Sequence, residues 1–119
     1  MLSAIFLRGD DVMRAEVKQY LAKYINQFHS LNIKIDSLIL FGSQAKGTAT
    51  ISSDIDIAIV MGEKLSHLDR GKLLSLGDEI DMRFKTNLFF TTKNAIKNAT
   101  GDFDTNKYIR EEGIVLWQA

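Results

Sequence analysis

The sequence contains no cysteine and no proline. Without cysteine there is no disulfide, no thiolate metal site and no cysteine nucleophile, a composition that suits a reducing, cytoplasmic setting. The absent proline, against an average usage of about 5%, carries no functional implication. Charge of one sign is lacking as well: 15 Lys and Arg balance 15 Asp and Glu, for a net charge of 0. Such a chain has no overall field to draw in a polyanion, so broad nucleic-acid binding is disfavoured and only a local basic patch is left open. No apolar run approaches the roughly 20 residues of a membrane span. The apolar start, Met1 to Leu7, gives way to Arg8-Gly9-Asp10-Asp11 without a basic lead-in, too short for a secretory leader. The expectation is a soluble, intracellular protein with no membrane association.

What is present is an ordinary globular composition, 45% hydrophobic and 25% charged over 119 residues. That length suits one domain, 1–119, able to bury somewhat over ~60% of its unfolded surface. From about Asp11 to Leu31, Met13, Val17, Leu21, Tyr24, Ile25, Phe28 and Leu31 recur at helical intervals, and Asp10 or Asp11 can cap the start. Ser37 to Phe41 reads as a buried strand ending at Gly42, and Asp54 to Val60 as a second. Leu65, Leu68, Leu73, Leu76 and Ile80 return to helical spacing, weakened by Gly71 and Gly77. Asp81 to Thr91 favours a strand. Asn94 to Glu112 suggests one or two short helices broken near Gly101, and Gly113 a stop before a last strand, Ile114 to Trp117. This order predicts an α/β (α+β) domain, one mixed sheet with flanking helices.

The chemistry concentrates between Leu40 and Val60. Gly42-Ser43 is followed, after ten intervening residues, by Asp54-Ile55-Asp56 at the head of an apolar strand. Residues i and i+2 of a strand share a face, with Cα atoms roughly 6.6 Å apart. Two carboxylates so placed can share divalent cations about 3.5–4 Å apart, and magnesium is the hard cation that such oxygen donors suit. A strand ending at glycine and turning into a helix offers free N–H groups to phosphate. The Ser43 hydroxyl can donate to a phosphate oxygen, and Lys46 can neutralise triphosphate charge.

This pattern resembles the defining motif of the DNA polymerase β nucleotidyltransferase superfamily, a Gly-Ser followed by Asp-x-Asp on the next strand. In its compactness the chain resembles the minimal nucleotidyltransferases (MNT), antitoxins paired with HEPN toxins. Ile109 to Leu116 also looks like the usual family ending. The resemblance implies the polymerase β-like fold, ATP as nucleotide donor and Mg2+ as cofactor. It implies Asp54 and Asp56 as catalytic metal ligands, and Gly42, Ser43 and Lys46 as the grip on the triphosphate. It also implies a third carboxylate from a neighbouring strand, as metal ligand or base. Asp81 is the choice for it, with Arg83 on the same face, while Asp78 and Glu79 compete. The expected reaction is AMP transfer to a protein hydroxyl, with a HEPN-family toxin as partner in a hetero-oligomer or a second copy in a homo-oligomer. Two rival readings are a non-catalytic module that neutralises a partner by contact, and a small-molecule nucleotidyltransferase of the antibiotic-modifying kind.

Other patterns fail on their key residues. Gly42 to Thr48 has P-loop glycine spacing, but Thr48 stands where the lysine belongs. Asp102-Phe-Asp104-Thr-Asn106 imitates a calcium loop without its glycine or closing glutamate, and reads as a helix cap or a turn. His29 and His67 have no ligand spacing, and Tyr20 and Tyr24 read as core or rim.

Overall fold

In the computed structural model, residues 13–119 are described. The first helix, α1, runs Ala15–Ser30 and buries Val17, Tyr20, Leu21, Tyr24, Ile25 and Phe28, the stripe its spacing predicts. Its N-cap position is Arg14, with no side-chain cap bond. The expected caps Asp10 and Asp11 lie outside the described residues. Then follow β1 (Ser37–Phe41), a four-residue helix α2 (Ser43–Lys46), β2 (Ile55–Met61) and α3 (His67–Ile80). The chain ends with β3 (Thr86–Thr92), α4 (Lys93–Asn98), α5 (Thr105–Glu112) and β4 (Ile114–Gln118). No helix among the described residues is long and apolar enough to cross a membrane.

The four strands form one sheet in the order β3-β2-β1-β4. β1 runs antiparallel to both β2 and β4, while β2 and β3 are parallel. Alternation along the strands sorts residues between two faces. Leu38, Leu40, Ile55, Ile57, Ile59 and Leu116 join the buried residues of α1 and α3 in one core, with Leu88 and Phe90 at its margin. Residues of the other parity, among them Ile39, Phe41, Asp56, Asn87 and Phe89, face away from that core. Arg110 ties α4 to α5 by donating to the carbonyls of Ile96, Lys97 and Ala99 at 2.8–3.2 Å.

Three features of the packing explain residues that looked weak or ambiguous in sequence. Gly77 costs helix propensity, yet a Cβ there would lie 2.5 Å from the Tyr20 hydroxyl and 3.0 Å from Thr86 Oγ1. Those two hydroxyls are hydrogen-bonded to each other across the α1–β3 boundary. Tyr20 and Tyr24 are both core, and burial raises both phenol pKa values. Asp104 caps α5 by accepting from Asn106 N–H at 2.9 Å, so the calcium-like run is a helix start.

One expected strand is shorter than its sequence pattern suggests. β3 begins at Thr86, and residues 81–85 form a turn. Asp81 closes α3, and its Oδ1 accepts from the Arg83 backbone N–H at 3.0 Å, the i to i+2 bond of an Asx turn. Such a local bond competes with the sheet ladder for the same backbone, and here it wins.

Gly113 does end α5, but not through a left-handed cap. Its φ is −68°, ordinary for any residue. A Cβ would instead stand 2.4 Å from the Ile109 carbonyl oxygen and 2.6 Å from Ile39 Cγ2. Glycine is needed there for close approach of α5 to β1. Gly113→Ala is therefore expected to destabilise the fold by about 1–3 kcal/mol through overpacking. A urea titration should show a lower midpoint with an unchanged m-value; a midpoint at or above that of the wild type would refute the close-approach argument.

Candidate active site

The β1–β2 register pairs Phe41 with Asp56, so the first residue beyond β1, Gly42, lies beside the Asp56 side chain. Gly42 has φ 75° and ψ −156°, a region open essentially to glycine alone. A Cβ on Gly42 would sit 2.3 Å from Asp56 Oδ2. Backbone conformation and space thus impose the same residue. The bend then enters α2, where the Gly42 carbonyl accepts from Ala45 and Lys46 N–H at 3.1 Å each. The first amides of a helix lack intrahelical acceptors, so the Ser43 and Gln44 end of this turn opens beside the Asp56 carboxylate. Gly47, at φ 77° and ψ 18°, ends α2 in the left-handed region.

Asp54 lies one residue before β2 and shares its face with Asp56. Both are partly exposed, at the rim where the apolar strand emerges. The parallel β2–β3 register sets Asn87 opposite Asp56. Asn87 Nδ2 donates to Asp54 Oδ2 at 3.0 Å and to Asp56 Oδ1 at 3.1 Å. One amide therefore marks the point on which both carboxylates converge. Two carboxylates are oxygen donors suited to a hard divalent cation, Asn87 faces them with its amide nitrogen and would offer its oxygen only after rotating, and Gly42 keeps the space beside Asp56 clear. The donor set fits magnesium.

Asp81, the expected third carboxylate, makes its hydrogen bonds and ion pair with Arg83 rather than with Asp54, Asp56 or Asn87. It ends α3 rather than standing on β3, and Arg83 occupies its carboxylate through Nε at 3.1 and 3.2 Å and Nη2 at 2.7 Å. Among the described residues, no three His, Cys, Asp or Glu side chains converge on one metal position. The hydrogen bonds from Arg83 lower the Asp81 pKa to about 2, which makes it a poor proton acceptor near neutrality. Asn87 was missed because an asparagine amid Thr86, Leu88 and Phe89 carries no charge signal in sequence. Only the strand register reveals its place.

Lys46 stands on the other side of Gly42. Its Nζ is 3.4 Å from Glu112 Oε2, an oxygen that is buried and makes no hydrogen bond. Both residues line a cleft of about 340 Å³ with Phe41, Gly42, Thr105 and Tyr108. Gln44 is buried at the centre of α2, and its Nε2 likewise lacks a hydrogen-bond partner. The site thus has an acidic side, at Asp54 and Asp56, and a cleft side with a cation at its edge, joined by the Gly42-Ser43 bend. His29 stacks edge-on against Trp117 at 5.4 Å and His67 begins α3, so neither enters it.

Comparison with known proteins bears on this geometry. The family described as "Polymerase beta, Nucleotidyltransferase" matches residues 23–118. The chain is 31% identical over 90 residues to "Putative protein adenylyltransferase MJ1215" of Methanocaldococcus jannaschii, covering 76% of this chain and 100% of that protein. It is 33% identical over 84 residues to "Putative protein adenylyltransferase MJ0126" of the same organism, covering 71% and 82%. Among solved structures it is similar to a chain of the "Crystal structure of the toxin-antitoxin with AMP-PNP". That match has a TM-score of 0.60 and 25% identity, and covers 83% of this chain and 73% of that one. A Sulfolobus solfataricus structure, described as a "putative nucleotidyltransferase", has a TM-score of 0.53 at 17% identity, covering 98% and 89%, and bears on the fold alone.

Two predictions arise from this geometry. Gly42→Ala should cost about 1–3 kcal/mol for backbone strain alone and displace the Asp56 carboxylate, read as lost stability in urea and a shifted Asp56 carboxyl resonance. Stability and resonance both unchanged would contradict it. The second concerns Asp81. Because its folded pKa is depressed, the Asp81–Arg83 contribution is present above the unfolded value of about 3.9 and is lost as pH falls through about 2. The Asp81 carboxyl should titrate near that lower value by NMR and move back towards about 4 in Arg83→Ala. An ordinary midpoint in the wild type would exclude the Arg83 clamp.

Proposed function

Because the chain belongs to the polymerase β nucleotidyltransferase family, we infer that it transfers AMP from Mg-ATP to a hydroxyl on a partner protein. The observation that carries this reading is the packing of Asp56 against Gly42, with Asp54 converging on the same amide. A nucleotidyltransferase needs a carboxylate pair for a cation beside a bend for phosphate, and these residues meet that need.

In this reading Asp54 and Asp56 hold the magnesium ion, which supplies charge neutralisation around the α-phosphate when bound. Gly42 lets the triphosphate approach the backbone, and Ser43 donates its hydroxyl to a phosphate oxygen. Lys46 exchanges Glu112 for the β- and γ-phosphates. The acceptor hydroxyl oxygen forms a bond to the α-phosphorus, the bond from that phosphorus to the bridging oxygen breaks, and pyrophosphate leaves. The hydroxyl proton is released as the new bond forms. Transfer of this kind rests on positioning and charge neutralisation rather than on an elaborate scaffold, so a small sheet with one bend and two acids suffices.

A protein acceptor is supported by the names of the two Methanocaldococcus relatives, one of which is matched over its full length. A toxin as that acceptor is supported by the likeness to a chain from a toxin–antitoxin crystal with AMP-PNP; the HEPN family as its kind follows only from the resemblance of this chain to minimal nucleotidyltransferases. Adenine and the hydroxyl acceptor, a tyrosine above all, belong to this same reading. The exposed Tyr108 at the cleft edge gives a nucleobase an aromatic surface.

The test is mass spectrometry of the toxin after incubation with this protein, ATP and magnesium. The expected outcome is one or more added AMP units, and a loss of at least about 100-fold in rate for Asp56→Asn, the scale of losing one electrostatic group at a reacting centre. Neutralisation of the partner with no added mass would instead establish a contact-only antitoxin, and undiminished transfer by Asp56→Asn would remove the carboxylate pair from the mechanism.

A further inference from the structure

We propose that Asn87 sets the cation count of the active site, holding the Asp54–Asp56 pair to one divalent ion where an acid would admit a second. The proposal rests on the reading of Asp54 and Asp56 as metal ligands, and concerns what the residue across from them does to that pair. Asn87 pairs with Asp56 in the parallel β2–β3 register and points to the same face. Its amide reaches both carboxylates, at 3.0 Å and 3.1 Å, so it occupies the place from which a third donor would act.

An amide there differs from a carboxylate in charge and in denticity. Asp54 and Asp56 together carry two negative charges, which one divalent cation balances. A second cation would find only the neutral amide oxygen of Asn87, a weak single donor, and repulsion from the first ion. Ligand charge count is a principal determinant of divalent-ion affinity, so replacing one acid by an amide acts on the second ion before the first. The amide has a complementary effect in the ion-free protein. Its two N–H bonds join carboxylates that would otherwise repel across one strand face. An acid in its place would bring a third negative charge within hydrogen-bonding distance of both. Asn87 thus favours an ordered empty site and a singly occupied filled one.

The side chain that sequence pattern nominated as a third acid reinforces this assignment. Asp81 is committed to Arg83 at the end of α3, and Asn87 alone on β3 faces both acids with a polar side chain in hydrogen-bonding reach. The position that decides the ion count is therefore a single residue, open to substitution.

Manganese, counted by electron paramagnetic resonance of the free ion, provides the probe, with no nucleotide present. Wild-type protein is expected to bind one Mn2+ per chain and to lose it in Asp56→Asn. Asn87→Asp should bind two Mn2+ per chain where the wild type binds one. It should also melt lower than the wild type without metal and recover when Mn2+ is added. Asn87→Ser, neutral and smaller, should keep one ion and guards against a misfolded aspartate variant. Two ions in the wild type or in Asn87→Ser, or an Asn87→Asp protein that still binds a single ion, would overturn the proposal. Wild-type protein that takes one Asp56-dependent ion yet never labels a partner sinks protein AMP transfer and leaves the Asn87 assignment standing. A wild type with no Asp56-dependent ion sinks both.

Discussion

The contact on which the site depends is the approach of the Asp56 carboxylate to the backbone of Gly42, in space that any other residue's side chain would fill. Two constraints meet at that one residue. Strand pairing puts Phe41 opposite Asp56, so the chain must leave β1 directly beside an acid. The turn into α2 demands a backbone conformation that residues with a Cβ avoid. Glycine satisfies both, and backbone pairing rather than a side-chain hydrogen bond holds the acid beside the bend. The geometry is carried by the register of the sheet, the part of the fold least free to move.

That register is fixed by the face of β2 turned away from the acids. Ile55, Ile57 and Ile59 are fully buried against α1 and α3, each stabilising the fold by roughly 1.5–3 kcal/mol. A slip of one residue would turn all three to the opposite face and Asp56 into the core. The apolar residues thus specify where the acids point. The acids, half-exposed at the strand's start, avoid most of the desolvation cost that burial deeper along β2 would impose. One strand separates the stabilising and the chemical roles by parity alone.

Most of this was legible in sequence because it depends on local alternation. The helix stripe from Val17 to Phe28, β1, β2 and the cap at Asp104 follow from spacing and cap chemistry, and so does the pairing of Gly42-Ser43 with Asp54 and Asp56 on adjoining strands. What was not legible depends on contacts between distant segments or on competition between local bonds. Asp81 to Lys85 has the composition of a strand start, and an Asx turn claims it instead. Asn87 has no signal of its own, and gains its meaning from parallel pairing with a strand 31 residues earlier. Gly77 and Gly113 read as weak helix and helix stop, when the tertiary reason is the room they leave for Tyr20 and Ile39. Lys46 is where expected in chain order, but its ion pair with Glu112 comes from the docking of α5 beside β1.

The ion pair bears on how the site tells an empty state from a filled one. Lys46 is about half-exposed, and its partner oxygen on Glu112 is buried without a hydrogen bond. At 3.4 Å the contact is longer than a direct charge-assisted hydrogen bond, and the lysine side chain is partly open to solvent. A triphosphate offers the ammonium several oxygens at once, whereas Glu112 offers one at 3.4 Å. On the opposite side of Gly42, Asn87 holds the two acids by neutral-donor hydrogen bonds, weaker than the coordination a divalent cation would offer them. Both sides of the bend are therefore satisfied in the empty protein by partners weaker than the groups a metal–nucleotide would bring. An arrangement of this kind stays ordered without ligand and still yields to it, and it does so with neutral or weakly paired residues rather than with added charge. The zero net charge of the chain is consistent with that economy.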